Sequence, residues 1–443
     1  VMFFHSYQLP SKWTWSVLSD MRSQQSDSVS SRNLILKMPL DLSAFADVIR
    51  HPIYIDRDVL EKHASIFASY AGKKALVVTG STSSQANHSL SKLKDILASH
   101  EIESYLFNEV EPNPSTVTVT KAARQVSGKQ VDFIIGLGGG SAMDAAKAIA
   151  VYLVNKEGIK VAISESPKDV ICISTAAGTA SEVTPYAILT DHIKQTKISI
   201  PNLVFPKISL VDPCYQLYLP TSQTLSMFLD ILCHAVESML TVKTTELSVK
   251  ASVESLKHLQ ICWHFCLKPA IMKTTFTDLT DPEMTEFRDE MTLASCYAGI
   301  AITIGGTSIA HGLSYKITYF KGVPHGKACA IFLIAYLNIC KQHSETHDDQ
   351  RFEQTLEKIL SAFQMDSYEE FKDMVEQVIC ADVEGRRTLY DEEEVMDYAI
   401  SLFASGKNKM HPWPITVPEV VGIIRQSCYD TLPLADGEGG ESQ

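Results

Sequence analysis

Asp230 and His234 stand four residues apart in Phe228-Leu229-Asp230-Ile231-Leu232-Cys233-His234-Ala235-Val236-Glu237. On a helix that spacing puts a carboxylate and an imidazole on one face, where both reach a single cation. Their neighbours Leu229, Ile231, Leu232, Cys233 and Val236 are apolar, so a mostly buried setting is expected, and a buried charge needs a metal or an ion-pair partner. Two more histidines are followed by glycine, His311 in Ala310-His311-Gly312 and His325 in Pro324-His325-Gly326. Glycine there permits a ligand to approach closely. One carboxylate with three imidazoles is an oxygen and nitrogen donor set suited to divalent iron or zinc, with room left for a substrate oxygen. A second pair at the same spacing, His343 and His347, precedes Asp348 and Asp349 in a polar stretch and reads as a solvated helix end.

A second chemistry is suggested by Ile135-Gly136-Leu137-Gly138-Gly139-Gly140-Ser141-Ala142-Met143-Asp144. Three consecutive glycines let the backbone come close to an anion, and a helix opening near Ser141 presents unpaired N–H groups to it. Ser141 is expected at the N-cap, able also to donate to a phosphate oxygen. Phosphate would repel Asp144, which suits a neutral amide or a ribose better. The loop does not meet the G-x-G-x-x-G fingerprint in the first βα turn of the domain, so it reads as a nucleotide or phosphate loop of another kind. The small, hydroxyl-bearing run from Ser174 through Thr175 and Thr179 to Thr184 has the room and the hydrogen bonds for the same ligand.

The elements that must position these groups alternate between short strands and helices. Residues 74–79, 104–107, 131–135, 170–174 and 208–211 have strand patterns, the third running straight into the glycines. Such alternation argues for a parallel sheet covered by helices, with ligands at the carboxyl ends of its strands. After about Pro220 the spacing turns helical, over residues 225–240, 246–267, 282–302 and 354–363. Asp281 before Pro282 is the expected N-cap of the third of these. The expected organisation is a leader over 1–46, disordered or targeting, an α/β dinucleotide-binding domain over 47–218, a helical metal-binding domain over 219–435 and a polar tail over 436–443.

Composition narrows the partners. The 443 residues are 45% hydrophobic and 21% charged and carry a net charge of −13. An acidic surface repels phosphate backbones and anionic lipid, so no nucleic-acid and no membrane partner is expected. The longest apolar run, Ala328 to Leu337, falls short of the ~18–20 residues that span a bilayer and reads as a buried helix. The 10 cysteines follow no zinc-ribbon or disulfide spacing, and Cys262 and Cys266 read as core packing. Reduced thiols fit a cytoplasmic location, with organelle targeting by the leader as the alternative.

Taken together, these segments resemble the iron-dependent (group III) alcohol dehydrogenase family over about residues 52–430. The glycine loop matches from Gly138 to Asp144. The Asp-x-x-x-His-Ala-x-Glu signature is met by Asp230, His234, Ala235 and Glu237, and the two later histidine ligands, fourteen apart, by His311 and His325. Pro112-Asn113-Pro114 and Val211-Asp212-Pro213 are similar to family landmarks, and Lys197 falls where a cofactor-contacting lysine is usual. The resemblance implies a Rossmann-like α/β domain followed by an all-α domain, the dehydroquinate synthase-like fold, with the active site between them. It also implies a homodimer and reversible hydride transfer between NAD(P)(H) and a small primary alcohol or aldehyde. The metal, Fe2+ with Zn2+ also compatible, would polarise the carbonyl.

Three departures from the family pattern stand out. The Thr-Thr-Ala-Gly-Thr loop is here Thr175-Ala176-Ala177-Gly178-Thr179, one hydroxyl short. Tyr315 takes the place, four residues after His311, of a histidine often assigned to proton relay, and is expected to pass a proton or to form pocket wall. Gly80-Ser81-Thr82 replaces the acidic residue that NAD-preferring members place after the first strand, which favours NADP(H) over NAD(H). The alternatives are a hydroxyacid-oxoacid transhydrogenase of the same family, a dehydroquinate synthase-like lyase, whose metal set is a glutamate and two histidines, and a non-catalytic relative.

Overall fold

The computed structural model describes residues 42–155, 158–162, 165–267, 282–380 and 392–429. Most of the expected leader, the tail and the cap at Asp281 lie outside these residues. The leader's last residues are packed: Phe45, in a single 3-10 turn, is buried against Ala251, Tyr297 and Ile300.

Six parallel strands form the sheet: β1 (Ile53–Ile55), β2 (Lys74–Gly80), β3 (Glu103–Val110), β4 (Phe133–Gly138), β5 (Asp169–Ser174) and, after a hairpin, β8 (Ile208–Val211). Their order is β1-β8-β5-β4-β2-β3. The hairpin, β6 (Ile188–Asp191) with β7 (Thr196–Ser199), forms a separate antiparallel pair. Period-two alternation divides the strands between two faces. Ala75, Val77, Phe133, Ile135, Ile171 and Ile173 pack with Leu90, Leu93 and Leu97 of α1 (Ser89–Ser99). Leu76, Val78, Ile134, Val170 and Cys172 pack on the other side with Val119 and Ala122 of α2 (Thr116–Gln125) and Met143 to Val151 of α3 (Gly140–Tyr152). Because β3 lies on one side of β2 and β4 on the other, the winding reverses between β2 and β4. A crevice opens there at the carboxyl ends of the strands, where Gly80 and Gly138 stand.

Helices follow: α4 (Thr221–Ser238), α5 (Glu246–Leu267), α6 (Pro282–Gly305), α7 (Ile309–Lys321), α8 (His325–Thr346), α9 (Arg351–Phe363), α10 (Tyr368–Cys380), α11 (Glu392–Ser405) and α12 (Val417–Tyr429). From Phe228 to Ser238 every residue of α4 is buried, as expected of a helix that is apolar on all sides. It is the axis of the helical core, with α5, α6, α7 and α8 around it. Among the described residues no single helix is long and apolar enough to cross a membrane.

Candidate metal centre and dinucleotide crevice

The four expected ligands converge. Asp230 and His234 lie one turn apart on the buried length of α4, His311 is in the first turn of α7, and His325 is the first residue of α8. Around Asp230 Oδ1 stand Nε2 of His234 at 3.8 Å, of His311 at 3.7 Å and of His325 at 3.9 Å. These spacings are too long for hydrogen bonds and near the ~3.4 Å edge of a tetrahedron with ~2.1 Å metal bonds. Asp230 Oδ1 and His311 Nε2 are buried and have no hydrogen-bond partner. Two orphaned polar atoms aimed at one point, in a set of one carboxylate and three imidazoles, fit a divalent cation.

Packing brings the last ligand in. A Cβ on Gly326 would lie 1.8 Å from Ser226 O and 2.7 Å from Asp230 Cβ, so only glycine lets the first turn of α8 rest against α4. The His325 side chain stays 23% exposed, against 4–7% for the other two imidazoles, and that is the side open to a substrate.

The electrostatics suit a cation. Burial pushes His234 down to about 4, and burial, then the Lys197 charge, hold His325 well below its ordinary value. Both are therefore neutral, the form that ligates. Burial opposes the ionised form of Asp230, but the three imidazoles hold its carboxyl well below the usual carboxylate range. Burial would lower His311 too, yet Cys329 and the Glu237 carboxylate raise it.

Two participants were not read from the sequence. Glu237 Oε1 accepts backbone N–H from Ser308 and Ala310 at 3.1 and 3.0 Å, and its Oε2 bonds Nδ1 of His311. The signature displayed this glutamate, but its partner came from another helix. Cys329, four residues after His325, offers sulfur to the same point: the donor atoms of Asp230, His311, His325 and Cys329 all lie within 4.8 Å of one another. Its i, i+4 spacing from His325 was visible in the sequence, while its thiol passed for core packing.

At the glycine loop β4 runs into α3. Gly138 has φ +148°, a conformation open in practice to glycine alone. The N-cap is Gly139 and not Ser141. Ser141 Oγ instead accepts the Asn113 backbone N–H at 3.1 Å, which pins the Asn113 loop to the start of the helix. Asp144 is not free for a ribose or amide: Oδ1 accepts from Ser181 Oγ at 2.6 Å and Oδ2 from Ile188 N at 3.0 Å. It joins α3 to the Thr175–Thr184 loop and to the hairpin because both approach the same turn. Lys147, fully buried, donates to Ser181 O, Ser181 Oγ, Thr184 O and Tyr186 O at 2.6–2.9 Å, and so fixes the same junction from beneath.

A cavity of about 310 Å³ joins both chemistries. Asn113, Gly140, Ser141, Asp144, Thr179 and Lys197 line it together with Asp230, His234, His311, Tyr315 and His325. Gly80, Ser81, Gly138, Gly139 and Thr175 are not among its walls. Gly80 ends β2 beside β4, and the Thr175 N–H donates to Gly138 O at 3.0 Å. Lys197 comes from β7, a strand the sequence reading did not find, and burial lowers its ammonium to about 8. The Tyr315 ring centre is 6.2 Å from that of His325. His343 is not a solvated residue: it is buried, with Nε2 on Glu419 Oε1 at 2.8 Å and Nδ1 on His411 Nε2 at 3.1 Å. Chain from the far end of the fold covers it, so its polar sequence neighbours misled.

Residues 51–213 match the family described as iron-containing alcohol dehydrogenase, and residues 224–427 its C-terminal part, described as Fe-containing alcohol dehydrogenase family, C-terminal. The chain is similar to alcohol dehydrogenase 4 of Schizosaccharomyces pombe, 30% identical over 55% of this chain and 56% of the relative. It is also similar to the mitochondrial hydroxyacid-oxoacid transhydrogenase of Caenorhabditis elegans, 30% identical over 56% of this chain and 57% of that one. The matched segment thus spans little more than half the length of these relatives. A solved iron-containing alcohol dehydrogenase of Thermotoga maritima superposes with TM-score 0.72 at 32% identity, covering 86% of this chain and 98% of its own.

Proposed function

The chain belongs to the iron-containing alcohol dehydrogenase family, and on that premise we propose that it is a metal-dependent alcohol dehydrogenase acting as an aldehyde reductase. The observation that carries the reading is the set of three imidazole nitrogens 3.7–3.9 Å from Asp230 Oδ1, on a cavity whose other wall is the glycine loop. When bound, the divalent cation, iron by family and zinc by donor type, polarises a carbonyl oxygen, and the nicotinamide gives or takes the hydride.

The residues divide the remaining work. Asp230, His234, His311 and His325 hold the cation and leave it open on the His325 side. The glycines 138–140 and the first turn of α3 receive the pyrophosphate on backbone N–H groups. Asn113, Thr179 and Lys197 orient the rest of the cofactor along the cavity. Tyr315, one helical turn beyond His311, gives the product oxygen its proton from Oη. Gly80 and Ser81, with no carboxylate to repel a 2′-phosphate, favour NADP(H).

The test is anaerobic aldehyde reduction with NADPH and with NADH, using iron- or zinc-loaded protein. The reading expects turnover that is lost in His325→Ala and reduced in Tyr315→Phe, with NADPH preferred. A second reading, hydride exchange between a hydroxy acid and an oxo acid, draws support from the nematode relative. It gains if nicotinamide stays bound through purification and free NADPH is not oxidised.

A further inference from the structure

The cavity is basic within an acidic protein. The chain carries a net charge of −13, yet Lys197, Lys243 and Lys407 all face this one space, against two carboxylates, Asp144 and Asp230. Both carboxylates are committed, Asp144 to Ser181 and Ile188 and Asp230 to the cation site. None of the three lysines forms an ion pair among the described residues. With a divalent cation in place the cavity is strongly positive.

The dinucleotide does not explain all of this charge. Lys197 arises from the α/β half, beside the glycine loop. Lys243 and Lys407 come from the helical half, Lys243 from the turn after α4 and Lys407 from the 3-10 segment Lys407–Met410. The Lys407 stem is set against Gly312, where a Cβ would lie 2.9 Å from its own Cβ. Its Nζ donates to Thr307 Oγ1 at 2.5 Å and lies 3.4 Å from Thr307 O, which leaves a third N–H for a ligand. Its charge is close enough to favour the ionised form of Glu237 and to disfavour that of His234. Glu237 does not require it, being already bonded to His311 and to the N–H groups of Ser308 and Ala310. Val242 N–H donates to Met410 O at 2.9 Å, tying the two lysine-bearing segments together. Ile302 and Met410 supply apolar wall between the lysines and the metal ligands.

We propose that the substrate is a short aldehyde or alcohol whose far end is an oxyanion (carboxylate, sulfonate or phosphonate) bound by Lys407 Nζ, with Lys243 guiding it at the mouth. This rests on the aldehyde-reductase reading and narrows its substrate class. A charge-assisted hydrogen bond in a partly dry site gives roughly 30- to 100-fold discrimination against an uncharged isostere.

Calorimetry on the metal-loaded full chain with NADP+ tests it directly, with γ-hydroxybutyrate against n-butanol as probes. The anion should bind at least about 30-fold tighter. Lys407→Met should remove most of that preference and Lys407→Arg should keep much of it, with metal content and Tm confirming folded protein. Reduction of succinate semialdehyde, sulfoacetaldehyde and phosphonoacetaldehyde, each beside butanal, then ranks the three oxyanions. Equal binding of the two probes overturns the proposal, as does a preference that survives Lys407→Met. If butanal is reduced and no anion preference exists, the pocket assignment fails alone. If a Lys407-dependent preference exists but no aldehyde is reduced, the reductase reading fails and the oxyanion site stands.

Discussion

Glu237 grips His311 from behind. One of its oxygens takes the N–H groups at the start of α7, the other bonds Nδ1, and Nε2 is thereby turned toward Asp230 Oδ1 at 3.7 Å. The carboxylate sets both the tautomer and the ring orientation of a ligand it does not replace.

Glu237→Gln keeps the shape but gives up the charge. Metal affinity should fall about 10- to 100-fold, read by competition with a chelator, while far-ultraviolet circular dichroism stays unchanged. Unaltered affinity would mean that His311 is oriented by packing alone.

Gly326→Ala should cost about 1–3 kcal/mol in denaturant unfolding, the range for overpacking, and should lower bound metal, since α8 must move away from Ser226 and Asp230. Gly422→Ala is the contrast. No atom lies within 4 Å of the added Cβ, and alanine inside exposed helix should stabilise by roughly 0.5–1 kcal/mol.

His51 makes stability depend on pH. It is buried, bonded through Nε2 to Glu182 O and Ser209 Oγ at 3.1 Å each, and burial lowers it to about 4 from 6.5. Between those values the unfolded chain binds a proton that the folded chain refuses, so stability falls as pH drops from 6.5 toward 4. The loss is at most about 3 kcal/mol. Urea midpoints across that window should show a shallower slope for His51→Gln than for the parent protein, and parallel slopes would refute the assignment.

Cys329 bears on which metal is held. A sulfur donor beside the oxygen and nitrogen set favours zinc, so Cys329→Ser should lower the zinc-to-iron ratio after loading from an equimolar mixture, measured by elemental analysis. Cobalt-loaded protein should also lose its sulfur-to-metal absorption band in this variant. A cobalt spectrum without such a band in the parent protein would take Cys329 out of the ligand set.

Much of the site was legible because its signals are local. Asp230 and His234 are one helical turn apart, His325 is announced by its glycine, and the strand before Gly138 has a two-residue period. What escaped depends on distant chain. Ser141 looks like a cap until the Asn113 loop folds over it, and Asp144 looks free until Ser181 and Ile188 arrive. His343 looks solvated until His411 and Glu419 cover it. The hairpin holding Lys197 was missed because four-residue strands with mixed polarity have no period long enough to detect. Lys407 carried no signal, since its meaning lies in which cavity Gly312 lets it reach.

The pairing of β1 with β8 has a consequence for biosynthesis. Ile53 meets Ser209 in register, and β1 has no other partner in the sheet. During translation its partner emerges on the order of 150 residues later, roughly 10–30 s at ordinary elongation rates. Throughout that interval the earliest strand has nothing native to bond, and the far edge of the growing sheet is uncapped. The nascent chain is therefore most open to chaperones and to mispairing before β8 appears, and a stall in that stretch would strand an unfinished sheet.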